Sequence, residues 1–362
     1  MRVLVTGIAG FAGSHLAELL SARGDLLAGL VEPGTGIENL AGILALHPDA
    51  LAAGRLPEVD LRDGAAVAAA IADFRPDAIV HLGAIAFVPY AVGHPEETFA
   101  VNVGGTRHVL EATRAAAPQA RVIVVSTSDI YRPEPEGRGA MDEDHPVDPR
   151  NPYAASKAEA DRLAADGAVR HGLHVVRVRP FNHTGPRQEP RYVCSDFALQ
   201  VAEAEGGRRE PVIRVGNLDV SRDISDVRDV VRGYAAAVDR GRPGAVYNLC
   251  AGRAVRIREV LDRLVGLARA PIRVEVDPTR WRPADNPWFL GDGGRARREL
   301  GWAPAIPLDQ TLRDLLDYWR DRLDRPLESP LPAVGEGQGE GGAGGSDAAH
   351  GRAARVGGST LP

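Results

Sequence analysis

The chain has 362 residues, 44% of them hydrophobic and 25% charged, so it is long enough to bury a full core as a soluble globular protein of one large or two closely joined domains. Lys+Arg 43 against Asp+Glu 49 gives a net charge of −6 without a basic block, which argues against a nucleic-acid partner. No apolar run approaches the ~20 residues of a membrane span, and Cys194 and Cys250 are too few for a disulfide framework. Because a strand is predicted at the very start, with no signal peptide before it, we expect a reducing, cytoplasmic setting.

A glycine turn follows the first predicted element. The apolar strand Arg2–Thr6 leads into Gly7-Ile8-Ala9-Gly10-Phe11-Ala12-Gly13, and a helix is predicted from Ser14 to Ala22. In a strand–turn–helix unit the glycines allow a tight turn and close approach of the backbone to a pyrophosphate, whose charge the helix N-terminus favours. The turn therefore predicts a dinucleotide-binding site, although its spacing differs from the Gly-x-Gly-x-x-Gly of typical dehydrogenases.

Apolar strands then alternate with helical patterns along the first half of the chain. Further strands are predicted at Leu26–Val31, Leu56–Leu61, Ala78–Leu82, Arg121–Ser126 and His174–Arg179, with helices at Gly64–Phe74, Pro95–Ala117 and Pro152–His171, and a loop with at most one helical turn at Gly34–Ala53. This alternation predicts an α/β fold with a doubly wound parallel sheet, the Rossmann architecture.

Two acidic residues lie where these strands end. Glu32 follows the second strand, where a carboxylate accepts hydrogen bonds from the adenosine ribose hydroxyls and repels a 2′-phosphate, which favours NAD over NADP. Asp60 ends the predicted third strand, close to the expected position of the adenine. Gly83-Ala84 comes after the fourth strand at the same expected cofactor edge.

Beyond Pro180 the pattern loosens into a predicted smaller lobe over the carboxyl edge of the sheet, where ligands of open α/β sheets bind. Its elements are strands at Val212–Val215, Ala245–Leu249 and Ile272–Val276 and helices near Asp226–Arg240, Arg256–Ala268 and Leu308–Leu323. We expect a nucleotide-binding domain at 1–180, an interleaved substrate lobe at 181–328, and a disordered Gly-rich tail at 332–362.

Tyr153 and Lys157 lie four residues apart at the start of a predicted helix, so their side chains share one face. A fixed cation beside a phenol favours the phenolate, and the pair can exchange a proton with a carbinol or carbonyl oxygen. Lys157 is the single lysine of the chain. The spacing by itself also fits two surface residues with no common task.

Four motifs in order resemble the extended short-chain dehydrogenase/reductase family, in its nucleotide-sugar branch, over roughly residues 1 to 325: the glycine turn, Asn102, the strand Val124–Tyr131, and Tyr153-x-x-x-Lys157. The resemblance implies that Thr127 hydrogen-bonds the reacting oxygen of the sugar, that Tyr153 transfers the proton, and that Lys157 binds the nicotinamide ribose. It implies a cofactor, NAD(H) or NADP(H), bound by Gly7, Gly10, Phe11, Ala12, Gly13, Glu32, Asp60, Leu61, Leu82, Ala84, Asn102, Tyr153 and Lys157.

The second half is similar to the GDP-mannose branch, which contains the 4,6-dehydratases and the GDP-4-keto-6-deoxy-mannose reductases. Arginine matches the geometry of phosphate oxygens, and a sugar diphosphate brings two negative charges. The resemblance implies a substrate site at Asn182, Arg187, Asn217, Arg222, Arg282 and Asp285. For each single arginine a solvated surface position is an equally good interpretation, because charged residues mostly lie exposed.

Three functions remain open from the sequence: a reductase of a GDP-4-keto-6-deoxy-hexose, a GDP-mannose 4,6-dehydratase or other nucleotide-sugar epimerase or dehydratase, and a non-catalytic cofactor sensor. Retention of Thr127, Tyr153 and Lys157 argues against the sensor. The dehydratases carry a glutamate base where this chain has the shorter Asp129, which is either catalytic or a capping carboxylate, and this favours the reductase.

The same resemblance implies a homodimer through the helices Pro95–Ala117 and Pro152–His171. No metal site is expected, because His183 has no second histidine or cysteine at ligand spacing.

Overall fold

Six parallel strands form the central sheet of the computed structural model, which describes residues 1–46, 51, 56–281 and 287–324. In chain order the strands of the protein are β1 (Arg2–Thr6), β2 (Leu26–Leu30), β3 (Ala78–His81), β4 (Arg121–Val125), β5 (His174–Pro180), β6 (Asn182–Thr184), β7 (Val212–Val215), β8 (Ser221–Asp226), β9 (Val246–Leu249), β10 (Ala254–Arg256) and β11 (Arg273–Val276). The central sheet has the order β2-β1-β3-β4-β5-β9. It confirms the predicted doubly wound parallel sheet.

Helices cover both faces of this sheet. They are α1 (Phe11–Ala22), α2 (Ala41–Leu46), α3 (Gly64–Phe74), α4 (Val88–Gly93), α5 (Pro95–Phe99), α6 (Gly105–Ala116), α7 (Pro152–His171), α8 (Val193–Glu205), α9 (Val227–Arg240), α10 (Ile257–Gly266) and α11 (Leu308–Asp324). Successive strand residues point to opposite faces, so Val3 and Val5 pack with α1 and α9 whereas Leu4 packs with α3 and α6. Burial on both faces explains why these strands are apolar throughout.

The smaller lobe has its own hydrophobic core. A three-stranded sheet of order β10-β8-β6 and the parallel pair β11-β7 pack against α8, α10 and α11 around Phe197, Leu261 and Leu316. After β8 the chain returns from the smaller lobe to the central sheet, where α9 packs on α1 and β9 lies beside β5. Residues Met1–Asp324 therefore form one compact unit in which the two lobes are interleaved in sequence.

Three predictions about elements need correction. The segment Leu56–Leu61 is not a strand: it meets the sheet only at an isolated bridge between Val31 and Glu58, because Pro57 has no N–H to donate and Asp60 turns the chain by accepting from Arg62 N.

The predicted helix Pro95–Ala117 is present, but it contains a π turn at Ala100–Gly104 between α5 and α6. The sequence analysis also missed α8, together with the short strands β6, β8 and β10. β8 buries Ser221, Asp223 and Ser225, so its polar composition gave no strand signal.

Among the described residues, no helix is both long enough and apolar enough to cross a membrane. The predicted tail at 332–362 lies outside the described residues, as does the end of the predicted substrate lobe after Asp324. The division into domains at residue 180 therefore stays a prediction.

Candidate active site

A cleft of about 860 Å³ opens at the carboxyl edge of the central sheet. Residues at the ends of β1 to β5 form one wall, and residues of β6 and β8 form the other. Parallel strands bring their carboxyl ends to one edge, so side chains far apart in sequence meet there. A cleft of this volume lies in the usual size range of sites for small molecules and cofactors.

The glycine turn forms the floor of the cleft where α1 begins. Gly7 has a φ of +69°, a left-handed conformation that disfavours other residues. A Cβ on Gly13 would lie 2.2 Å from the Gly7 carbonyl oxygen, so helix and turn can approach this closely only with glycine. The first turn of α1 carries no acidic side chain and no side-chain cap, which leaves its backbone N–H groups available for an anion. These features fit a dinucleotide pyrophosphate.

The predicted adenosine side of the cleft contains Glu32, Asp60 and Leu61, all of which line it. Arg62 holds the Asp60 carboxylate through Nη2 at 2.7 Å, and this hydrogen bond keeps the pKa of Asp60 below its usual value. Glu32 is exposed at the end of β2. An accessible carboxylate at this place can accept from ribose hydroxyls.

Thr127, Tyr153 and Lys157 come together although they belong to different elements. Thr127 follows β4 and caps the short turn Ser128–Ile130 by accepting from Asp129 N at 3.2 Å. Asn151 caps α7 by accepting from Ala154 N at 2.9 Å, which sets the first turn of the helix that carries Tyr153. The side chains of Thr127 and Tyr153 both line the cleft and lie close enough for the threonine hydroxyl to influence the tyrosine.

The pKa of Tyr153 differs from the expectation. Burial raises it well above the ordinary value for tyrosine, the Asp129 carboxylate raises it further, and the Thr127 side chain opposes this rise. Lys157, which was expected to lower this pKa, is not among the groups that shift it, and its Nζ donates to the carbonyl oxygen of Val125. Tyr153 therefore holds its proton at neutral pH.

Lys157 is 6% exposed and lines the cleft. Burial lowers its pKa to about 8, and the carboxylate of Asp161, one helical turn further along α7, opposes this shift. Three donors on the lysine nitrogen can serve more than one acceptor, so the bond to Val125 leaves two N–H groups. These fit the hydroxyls of a ribose bound in the cleft.

Asp129 also lines the cleft, and its closest electrostatic partner is Arg222 of β8 on the opposite wall. Burial raises the pKa of Asp129, while the guanidinium of Arg222 opposes the shift. The Cζ of Arg222 lies 5.3 Å from the centroid of the Phe289 ring, within the distance of a cation–π contact. Arg222 thus faces Asp129, whose carboxylate also acts on Tyr153.

Asn102 supports the cleft without lining it. Its Oδ1 accepts from Ile85 N at 2.8 Å, and its Nδ2 donates to Ile85 O at 3.0 Å and to Ser156 Oγ at 2.9 Å. The residue is 1% exposed and lies in the π turn. Asn102 therefore positions the loop that lines the cleft. It does not itself line the cleft, where the predicted cofactor residues were expected.

The remaining predicted cofactor residues Leu82 and Ala84 line the cleft. Only some of the predicted substrate residues line the cleft. Asn182 and Arg222 line the cleft, whereas Asn217 accepts from Asp219 N at 2.9 Å in a local turn outside the lining. Arg282 and Asp285 lie outside the described residues.

Arg187 turns away from the cleft. Its Nη2 bonds Glu18 Oε2 at 2.7 Å and contacts the ring of His15, so it joins the smaller lobe to α1. Its φ of +72° directs the backbone into this arrangement. Neighbouring protein groups occupy the Arg187 guanidinium outside the cleft lining, so the structure gives no support to the prediction that Arg187 binds substrate.

The chain matches a known protein family over most of its length. A family model described as GDP-mannose 4,6 dehydratase matches residues 4–315. The chain belongs to this family. The match spans both lobes, which confirms the resemblance to nucleotide-sugar enzymes of the extended short-chain dehydrogenase/reductase type.

Members of the GDP-mannose 4,6-dehydratase family with different activities are similar to this chain. It is 34% identical over 323 residues to GDP-6-deoxy-D-mannose reductase of Pseudomonas aeruginosa, covering 89% of this chain and 98% of that protein. It is 28% identical over 346 residues to GDP-mannose 4,6-dehydratase of Vibrio cholerae serotype O1, covering 86% and 92%. The structure of RMD from Pseudomonas aeruginosa complexed with NADPH matches with a TM-score of 0.77 and 32% identity, covering 89% of this chain and 99% of that one.

The sequence analysis missed several cleft residues of this family member. The ring of His183 stacks on Phe11, with centroids 5.8 Å apart and an interplanar angle of 8°, and so joins β6 to the glycine turn. The Cζ of Arg191 lies 5.1 Å from the Phe87 ring and 5.7 Å from the Tyr192 ring, across the cleft mouth. Aromatic residues in loops carry no periodic signal, so only their meeting in space identifies them.

Proposed function

We propose that this chain reduces the C4 ketone of a GDP-4-keto-6-deoxy-hexose to a GDP-6-deoxyhexose of the GDP-rhamnose type, with NADH or NADPH as reductant. The observation that carries the proposal is the position of Tyr153, a protonated phenol that lines the cleft beside Thr127. Ketone reduction needs a hydride and one proton, and this pair can supply the proton. The similarity to GDP-6-deoxy-D-mannose reductase over 98% of its length supports the same reaction.

Three residues of the cleft have separate roles in the proposed ketone reduction. The bound nicotinamide supplies the hydride. Thr127 and Tyr153 both offer hydroxyl groups to the reacting oxygen, and a phenol that keeps its proton at neutral pH is ready to donate it. Lys157, with a pKa lowered to about 8, then lies one helical turn away and orients the ribose.

Cofactor preference follows from the adenosine end. Glu32 is exposed where β2 meets the cleft, and its carboxylate favours free ribose hydroxyls over a 2′-phosphate. We therefore propose that NADH is accepted at least as well as NADPH. A similar structure was solved with NADPH, so the ratio of the affinities of this protein for NADH and NADPH tests the role of Glu32.

A second candidate is GDP-mannose 4,6-dehydratase, because the Asp129 carboxylate lines the cleft next to Tyr153 and burial raises its pKa. Elimination of water across C5 and C6 needs a base that reaches C5. Aspartate is one methylene shorter than glutamate, and a miss of about 1 Å costs of order 10²-fold in rate. The guanidinium of Arg222 opposes the rise in the pKa of Asp129, which makes this carboxylate a weaker base for the C5 proton.

The experiment compares two substrates. Purified protein with GDP-mannose alone forms no 4-keto product, whereas protein with GDP-4-keto-6-deoxy-mannose, made by a separate dehydratase, oxidises added NADH or NADPH. The Tyr153→Phe protein is the control, since it keeps the fold and loses the proton donor. Keto-sugar formation from GDP-mannose without added reductant would replace the reductase by the dehydratase.

We also propose a cytoplasmic homodimer. The helices α5 and α6 both pack against α7, and exposed apolar side chains lie on them at Phe99 of α5 (38%) and Val169 of α7 (82%). Exposed apolar groups on these helices favour contact with another protein surface. Light scattering during gel filtration measures the mass, and a monomer for the parent protein would contradict this proposal.

A further inference from the structure

Tyr234 is a buried tyrosine of the cleft that the proposed reaction does not yet use. It belongs to α9, is 1% exposed, and lines the cleft. It approaches from the α1 and α9 side of the sheet, whereas Tyr153 lies on α7 on the other side. The two phenols therefore reach the same cleft from opposite faces of the sheet.

The hydroxyl of Tyr234 makes no hydrogen bond to any residue within the described part of the chain. Two other tyrosines are equally buried, and both have partners: Tyr131 donates to Asn248 Oδ1 at 2.7 Å and Tyr247 donates to Glu299 Oε2 at 2.8 Å. The Tyr234 oxygen is not among the described buried polar atoms that lack a partner, so it reaches the cleft, where a polar group of a ligand can pair it. Of these three tyrosines, the unpaired one is the one that lines the cleft.

The surroundings of Tyr234 indicate which ligand group faces it. It shares a core cluster with Ile8 of the glycine turn and with Val125, whose carbonyl accepts from Lys157. The Tyr153 phenol is close enough to raise the pKa of Tyr234 beyond the effect of burial. Tyr234 thus lies in the cofactor half, near the end of the cleft where proton transfer takes place.

We propose that the Tyr234 hydroxyl hydrogen-bonds the carboxamide of the bound nicotinamide and so fixes the orientation of that ring. A carboxamide offers one acceptor and two donors, and a phenol can use either. The inference rests on the proposed dinucleotide cofactor and is independent of the sugar. It makes Tyr234 a cofactor-binding residue on an element that the glycine turn and Tyr-x-x-x-Lys motif do not include.

The test uses Tyr234→Phe, which removes one oxygen and keeps the ring. Dissociation constants are measured by calorimetry for NADH and for ADP-ribose, which lacks the nicotinamide, and for NADPH and 2′-phospho-ADP-ribose as the second pair. We expect the variant to bind the dinucleotide about 3- to 10-fold more weakly, the loss typical of one hydrogen bond, and to bind the ribose fragment as the parent does. An unchanged dinucleotide affinity, or an equal loss for both ligands of a pair, would overturn the inference.

Thermal unfolding without ligand separates binding from folding. Tyr234→Phe should unfold at the same temperature as the parent or higher, since it breaks no hydrogen bond within the described part of the chain. The matched control Tyr247→Phe removes a hydroxyl that bonds Glu299 away from the cleft, so it should unfold earlier and keep the parent ratio of the two affinities. A lower unfolding temperature for Tyr234→Phe would mean that protein groups, not a ligand, pair its hydroxyl. Failure of the parent to bind either dinucleotide would overturn the proposed function as well.

Discussion

Asn102 donates a hydrogen bond of 2.9 Å to the hydroxyl of Ser156, which lies three residues after Tyr153 on α7. The same amide group holds both backbone groups of Ile85 in the loop after β3. One side chain in the π turn therefore connects the helix that carries the proton donor with the loop that lines the cleft. The geometry of the site depends on this buried amide, although it lies beneath the cleft wall.

Asn102→Ala should destabilise the fold, because it leaves buried groups of Ile85 and Ser156 without partners. The expected loss is about 1–3 kcal/mol in the free energy of unfolding. Urea denaturation measures it. Asn217→Ala is the control, since that side chain bonds one backbone N–H in a turn outside the cleft lining, and it should cost less than about 1 kcal/mol. Equal losses for the two variants would show that the Asn102 contacts stabilise the fold no more than a single hydrogen bond in a turn does.

Gly10→Val should abolish binding of the dinucleotide. A Cβ on Gly10 already comes within 3.2 Å of the Gly7 carbonyl oxygen, and the larger valine would fill the space beside the first turn of α1. Fluorescence titration with NADH and NADPH measures the affinity, and circular dichroism checks that the variant is folded. A folded variant that binds like the parent would remove the glycine turn from the cofactor site.

Tyr153→Phe should lower kcat by about 10²–10⁴-fold, the usual contribution of a general acid. The affinity for the cofactor should change little, since the fold and the Lys157 contact to Val125 remain. Steady-state kinetics with a 4-keto sugar measure the loss. A variant within a few-fold of the parent would mean that another group donates the proton.

Lys157 should make stability depend on pH. Its pKa is lowered from 10.5 to about 8 by folding, so between these values the unfolded chain binds more protons and the free energy of unfolding rises with pH. The rise is up to about 1.4 kcal/mol per pH unit within this window. Chemical denaturation of the ligand-free parent at pH 7 and pH 9.5 measures it, with Lys157→Met as reference to subtract the titration of other groups. A parent-minus-reference difference that stays level or falls would contradict the lowered pKa of the buried lysine.

The sequence was sufficient for the parallel sheet and for placing Tyr153 and Lys157 on one helix. Apolar strands in alternation with helices, a glycine turn after the first strand, and Tyr153 and Lys157 at helical spacing are local patterns, and apart from the predicted strand Leu56–Leu61 they were found in the structure at the expected place. Local patterns suffice here because strand order and the common carboxyl edge follow from the parallel topology.

Other features of the site depend on contacts between distant segments of the chain, and only the tertiary structure decided them. Arg187 looked like a phosphate ligand, but Glu18 and His15 of α1 occupy its guanidinium. Lys157 was expected to lower the pKa of Tyr153, but burial and Asp129 determine that pKa. Sequence spacing fixes which residues share an element, whereas desolvation and the partner of each charged or polar group depend on residues far away in the chain.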